Sequence, residues 1–244
     1  MSYNEFAKIY DELINEDIDY VQISNRILEI CNEQKISFDN YLDLACGTGN
    51  VTAKLANNFK ESIASDLSED MLIEAKDKLK KEKVKCKLLC SDMTNFNINK
   101  QFDLITSVLD ASNYIIEDED FYDYFMSVKN HLKKDGLFIF DINSYYKLSE
   151  VLGNNIYTYN EEKIFYSWEN VFEDDIVNMY LTFFVKKGDL YERFEEEHRE
   201  RAYTETYIES LLDAVGLTLI AKYDGYTKNK VKEDSERIVY VVKG

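Results

Sequence analysis

The sequence predicts an α/β fold: a doubly wound, mostly parallel sheet of seven strands that carries an antiparallel β insertion as a lid. Three observations predict it. From 41 to 142, short apolar runs alternate with amphipathic helical segments, the pattern of a parallel sheet covered on both faces. From 143 to 203 the chain changes to alternating runs that hold 14 of its 34 aromatics, which suits antiparallel strands. After 204, one helical segment and two more strands complete the sheet. The expected division is an N-terminal helical cap over 1–37, a core over 38–142 and 204–244, and the inserted lid over 143–203.

In order, residues 1–37 read as helical, with Ile18, Val21, Ile27, Leu28 and Cys31 near helical spacing. Tyr3, Phe6, Tyr10 and Tyr20 are frequent aromatics for so short a lead-in, suited to packing a helix on the sheet. Strands are expected at 41–45, 61–66, 84–90, 102–109 and 136–142. Ser68 is an N-cap for a helix over 69–82, with Glu69 and Asp70 at its start and lysines 76, 78, 80, 81 and 83 towards its end; both charge choices suit the helix dipole. Met71, Leu72, Ala75 and Leu79 give that helix one apolar face. Gly136 reads as the stop of a helix over 119–134, and Gly216 as the stop of one over 205–215. The lid runs are 163–168, 175–186 and 190–203, and the closing strands are 217–223 and 237–242.

The organising stretch is Tyr41-Leu42-Asp43-Leu44-Ala45-Cys46-Gly47-Thr48-Gly49-Asn50: a strand, a tight turn and a helix start. Missing side chains in the turn let the backbone approach a ligand, and the helix start offers unpaired N–H groups. About 20 residues on, Asp66 ends the next apolar run, at a spacing that suits two ribose hydroxyls. A P-loop needs a lysine and a hydroxyl residue where Asn50-Val51 stands. A dinucleotide turn wants glycine or alanine where Thr52 stands. Asp43, four residues before Gly47, would repel a pyrophosphate and meet an ammonium, which favours a cationic cofactor.

Leu42 to Asn50 resembles motif I of the class I S-adenosylmethionine-dependent methyltransferases, written (V/L)LDxGxGxG, here with Ala45-Cys46 before the first glycine. Asp66-Leu67-Ser68 falls at that family's ribose-binding acid and Cys90-Ser91-Asp92-Met93 at its adenine-contacting acid. Phe102-Asp103-Leu104-Ile105 resembles its fourth strand and Gly136 to Asp141 its fifth. The likeness is close over 38–142 and looser over 204–244. It implies a Rossmann-like sheet and S-adenosyl-L-methionine as cofactor. It also implies roles: Asp43 holds the ammonium, directly or through water, and the backbone at Gly47 and Gly49 meets the methionine part. Asp66 takes the ribose hydroxyls, Leu67 packs on the adenine, Asp92 accepts from the adenine amino group, and the Met93 N–H reaches a ring nitrogen. Cys46, Met71 and Leu109 complete the expected cofactor contacts. Tyr10-Asp11 resembles a Tyr-Asp pair of the family's lead-in, so Tyr10 is a candidate at the reacting centre. The sequence contains no proline, which excludes the Pro-Pro-aromatic motif of enzymes that methylate amino groups of DNA bases.

The formal net charge of −18 disfavours a nucleic-acid substrate, since a phosphate backbone is bound chiefly through Lys and Arg. Cysteines 31, 46, 86 and 90 show no metal spacing, and Cys86 and Cys90, if on one strand, lie roughly 13 Å apart, too far for a disulfide. A cytoplasmic protein with no signal peptide and no membrane span is expected.

Leu109 to Tyr114 ends the fourth strand, where open α/β sheets form their ligand crevice. Asp110 and Asn113 are therefore candidates for substrate contact, and Asp110 is also a candidate catalytic residue as a proton acceptor, although a loop acid is equally a helix cap. Glu197 to Tyr203 resembles a segment of some small-molecule methyltransferases, with His198 as proton acceptor and Arg201 and Tyr203 as substrate contacts. Strand alternation, however, puts His198 and Arg201 on opposite faces, and His198 also reads as a plain exposed-strand residue. The expected function is in-line methyl transfer to N or O of a small molecule, with an amine favoured by the acidic charge. The rivals are an NAD(P)-dependent oxidoreductase and a non-catalytic cofactor-binding or partner-binding protein of the same fold.

Overall fold

The computed structural model describes residues 18–244; Tyr3, Phe6, Tyr10 and Asp11 lie outside the described residues. Helix α1 (Tyr20–Glu33) begins on Asp19, whose carboxylate accepts the Gln22 N–H at 2.8 Å. It leads into β1 (Asn40–Leu44), α2 (Asn50–Leu55) and β2 (Glu61–Asp66). Helix α3 (Glu69–Lys81) follows, capped as expected by Ser68, whose hydroxyl accepts the Met71 N–H at 3.2 Å. Then come β3 (Lys87–Cys90), β4 (Phe102–Ser107), α4 (Asp118–His131) and β5 (Leu132–Asn143). After the inserted segment, α5 (Glu205–Ala214) starts on a Thr204 cap, and β10 (Thr218–Asp224) and β11 (Arg237–Lys243) close the chain.

These strands form one seven-stranded sheet in the order β10-β11-β5-β4-β1-β2-β3, parallel except for β11, which runs against both neighbours. Adjacent residues along a strand enter opposite layers. Leu42, Ile105, Phe138 and Tyr240 pack with α4 and α5, around Phe125, Ile208 and Leu212. Tyr41, Leu104, Ile139 and Val241 pack with α1 and α2, around Ile27, Ile30 and Leu55. Burial on both faces explains why these strands read as near-continuous apolar runs.

Several boundaries differ from expectation, among them that of β3, which begins at Lys87 and not at 84. Helix α4 ends at His131 because Leu132 turns extended, and Gly136 lies inside β5 rather than stopping the helix. A Cβ there would stand 2.8 Å from the Phe102 carbonyl, so glycine permits strand contact at the β4–β5 register shift. Strand β4 ends at Ser107, not 109, because Leu109 (φ 61°) and Asp110 (φ 57°) are both left-handed.

The inserted segment forms a second, antiparallel sheet of β6 (Ile156–Asn160), β7 (Ile164–Glu173), β8 (Ile176–Lys187) and β9 (Leu190–Arg201), joined in sequence order. Strand β6 and a helical turn at Lys147–Leu152 were not expected. On this sheet's inner face, Met179 pairs with His198 and Val177 with Glu200. Leu148, Leu152, Val177, Met179 and Ala202 pack together, and Phe183 reaches Met71 of α3. Among the described residues no helix is long and apolar enough to cross a membrane.

Candidate active site

Two adjoining cavities open at the carboxyl ends of the parallel strands, where the topology of an open α/β sheet places a ligand crevice. The first, about 570 Å³, is walled by the β1–α2 turn, residues 66–71 after β2, residues 91–93 after β3, and Val108 and Leu109 after β4. The second, about 630 Å³, lies beneath the antiparallel sheet. Leu109, Tyr114 and His198 belong to both walls.

The β1–α2 turn is shaped by Ala45 (φ 52°), Gly47 (φ 53°) and Gly49 (φ 78°). A Cβ on Gly47 would meet nothing within 4 Å, so the backbone there is open to the cavity. Gly49 serves differently. A Cβ on it would stand 3.2 Å from the Cβ of Ala75, so this glycine seats the start of α2 against α3 and is not part of the cavity wall.

The three expected acids converge on the first cavity from separate strands. Asp43 is 1% exposed, and its carboxylate accepts the hydroxyls of Thr52 and, at 2.7 Å, Thr106. Burial pushes its pKa up to about 6 against those hydrogen bonds. Asp66 accepts the Gly47 N–H through Oδ2 and the Ser68 N–H through Oδ1, each at 2.8 Å; burial raises its pKa although these N–H groups oppose the shift. Asp92 uses one oxygen, Oδ1, to accept both the N–H and the hydroxyl of Thr94. Leu67, 69% exposed, presents an apolar surface between Asp66 and Asp92, and Cys46, Met71 and Met93 line the same space. The set fits S-adenosylmethionine: acids for an ammonium and for hydroxyl and amino donors, an open backbone at Gly47, an apolar platform, and a volume within the usual ligand range.

Asp110 lies in the second cavity within a network that sequence reasoning missed. Asp141 of β5, 0% exposed, accepts the backbone N–H groups of Leu109 and Asp110 through its two oxygens, each at 2.8 Å. Tyr226 and Arg237 also donate to Asp141, and Arg237 Nη2 donates to Asp110 Oδ1 at 2.6 Å. Burial opposes the Arg237 charge, but the two carboxylates more than compensate and raise its pKa. His198 faces the cavities with its ring 6.0 Å from that of Tyr114, edge to face, and burial lowers its pKa. Lys147, Trp168 and Glu200 also belong to the second wall, as do Asp19, Gln22 and Asn143.

Asn113, Arg201 and Tyr203, expected as substrate contacts, line neither cavity. Asn113 is fully buried, donating to the carbonyls of Asn143 and Arg201 and accepting the Asn143 N–H. Arg201 points to the other face of β9, donating to the Ile116 carbonyl and pairing with Asp118. Tyr203 stacks on Phe121 and donates to the Ile115 carbonyl. These three residues fix the loop after β4 against β9.

The "Methyltransferase domain" family model matches residues 42–136. A crystal structure of an S-adenosylmethionine-dependent methyltransferase from Clostridium acetobutylicum ATCC 824 is 54% identical, with a TM-score of 0.94 over 99% of this chain and 98% of that one. A protein of Geobacillus sp. (strain WCH70) classed as a methyltransferase is 31% identical over the whole length of both chains. The dTDP-3-amino-3,4,6-trideoxy-alpha-D-glucopyranose N,N-dimethyltransferase of Streptomyces venezuelae is 25% identical over 55% of this chain and 56% of its own. Full-length likeness and the motif-bearing cavity give the same answer: this chain belongs to the class I S-adenosylmethionine-dependent methyltransferases.

Proposed function

We propose that the enzyme transfers the methyl group of S-adenosylmethionine to a nitrogen or oxygen atom of a small molecule held in the second cavity, beneath the antiparallel sheet acting as a lid. The observation that carries this reading is the common wall of Leu109, Tyr114 and His198 between the two cavities. That shared wall supports a cofactor space and an acceptor space that adjoin at the end of β4, the proximity that displacement requires. The cofactor supplies an electrophilic methyl on a sulfonium. The chain's work is then positioning and exclusion of water, the main sources of rate for such a step.

In this reading Asp66 takes the ribose hydroxyls, Asp92 and Leu67 hold the adenine, and Gly47 lets the methionine part approach the backbone. Asp43, already engaged by Thr52 and Thr106, acts on the ammonium through its charge or a water. His198, kept neutral by burial, accepts a proton from a hydroxyl or amine as it attacks. Small-molecule acceptors are also favoured by the net charge of −18, and a cytoplasmic location agrees with four unpaired cysteines.

The test is release of S-adenosylhomocysteine across a panel of amines, phenols and carboxylates. Release with one class supports the reading. Tight cofactor binding with no release from any class would favour a cofactor-sensing protein, and binding of NADH in place of the sulfonium cofactor would favour an oxidoreductase.

A further inference from the structure

The second cavity holds a carboxyl group that the motifs do not account for. Glu200 of β9 is 3% exposed, yet it forms part of the cavity wall on the same strand face as His198. Its Oε2 accepts the Asn143 amide at 2.8 Å, and no described residue hydrogen-bonds Oε1. That oxygen is left to the cavity, where a ligand can meet it. The indole Nε1 of Trp168 in the same wall is buried with no acceptor among the described residues, a cost that a ligand acceptor can offset.

The charged and polar groups in and behind this wall come from six elements. Asp19 caps α1, Asp110 follows β4, Asp141 and Asn143 end β5, Lys147 lies in the helical turn, His198 precedes Glu200 on β9, and Arg237 starts β11. Arg237 is shared by Asp110 and Asp141, and Lys147 donates to the Asn143 side chain at 3.1 Å. Asp19, Asp110 and Asp141 thus outnumber Lys147 and Arg237, and ionised Glu200 adds to an excess of negative charge that an entering cation offsets. Burial, reinforced by Asp110, pushes the Glu200 pKa up to about 8 although Asn143, Lys147 and Arg237 oppose it. Burial therefore favours the neutral carboxyl, and a cation brought beside it favours the charged form.

We propose that Glu200 receives the acceptor's charge, and hence that the acceptor is an aliphatic amine that enters as an ammonium ion. This deepens the methyltransferase reading and rests on it. The ammonium pairs with Glu200 and Asp110, in a wall that also holds the aromatic rings of Trp168 and Tyr166. The proton passes from nitrogen to His198 on the same strand face. The freed lone pair forms the N–C bond as the C–S bond breaks and its electron pair stays on sulfur. The positive charge moves to the methylated nitrogen, still facing Glu200, and His198 returns its proton to solvent.

Trp168 is the chain's single tryptophan, so its fluorescence reports on this cavity. With S-adenosylhomocysteine saturating, benzylammonium and its neutral isostere benzyl alcohol are titrated into wild type and Glu200→Gln. The Gln variant keeps the oxygen that accepts from Asn143. The proposal expects benzylammonium to bind wild type at least about ten-fold tighter than the alcohol, the scale of one charge-assisted hydrogen bond. It expects that preference to vanish in Glu200→Gln while S-adenosylhomocysteine affinity is retained. Equal affinities, a preference for the alcohol, or no saturable response to either compound in wild type would overturn it without need of the variant. Ammonium selectivity without methyl release from any amine would instead refute the methyltransferase reading and leave the cation site standing.

Discussion

Arg237 donates to Asp110 across 127 positions of sequence, Nη2 to Oδ1 at 2.6 Å, and thereby ties the last strand to the loop between the two cavities. The same guanidinium donates to Asp141, which also holds the N–H groups of Leu109 and Asp110. Two consecutive non-glycine residues in the left-handed region are strained, at a cost of order 1–3 kcal/mol each, and persist only where surrounding structure fixes them. Here a buried carboxylate fixes them. Asp110 is consequently half of an ion pair, which makes it a poor lone base and a good neighbour for a cation.

Replacing Asp141 with Asn removes a fully buried charge from beneath Arg237 and one acceptor from the turn. The expected loss is about 3–5 kcal/mol of folding stability, read from urea unfolding. A midpoint unchanged from wild type would show that the turn does not depend on this hub.

Asp66→Ala deletes the carboxylate assigned to the ribose and leaves the Gly47 and Ser68 N–H groups without their acceptor. Two charge-assisted hydrogen bonds to ribose hydroxyls correspond to a loss of about 100-fold or more in cofactor affinity. Titration calorimetry with S-adenosylhomocysteine measures it; a loss below about three-fold would remove Asp66 from that role.

Asp43 gives a pH test with a definite sign. Its folded pKa, about 6, lies above the ordinary 3.8, so the folded state binds the extra proton between those values. Its contribution to stability is therefore greatest at the acidic end of that window and is lost as pH rises towards 6, by about 3 kcal/mol for a shift of that size. Cofactor affinity should move the other way, rising from pH 5 to 7 as the carboxylate ionises to meet an ammonium. Asp43→Asn should flatten both trends relative to wild type, in urea titrations and calorimetry across pH. Parallel pH curves for the two proteins would contradict the assignment.

His198→Ala should leave S-adenosylhomocysteine affinity within about two-fold and slow methyl transfer by about 10²-fold or more, the usual scale of general-base catalysis. Unchanged turnover would confine His198 to packing against Tyr114.

The parts of this enzyme legible in its sequence are those with local signatures. The turn after β1, the acid at the end of β2, the Ser68 cap and the alternation of strands with amphipathic helices each reside in a few consecutive residues, and all lie where expected. Asp43 was legible as an acid, but not its engagement by Thr52 and Thr106, which requires α2 and β4 to fold against β1. The second cavity was mostly hidden for the same reason. Asp141, Glu200 and Arg237 come from three distant segments, and no spacing connects them. One clue was available: Glu200 stands two residues beyond His198 on a strand, so whatever face His198 uses, Glu200 shares. That alternation also explains why Arg201 and Tyr203, from the same resembling segment, anchor the loop after β4 instead of meeting a ligand.

A crystal structure of the complex with S-adenosylhomocysteine tests the central claim, that donor and acceptor meet across the wall of Leu109, Tyr114 and His198. The account predicts the ribose on Asp66, the adenine between Leu67 and Asp92, and the sulfur at that wall facing the space beside Glu200. A sulfur directed away from the second cavity, or a ribose out of reach of Asp66, would contradict it.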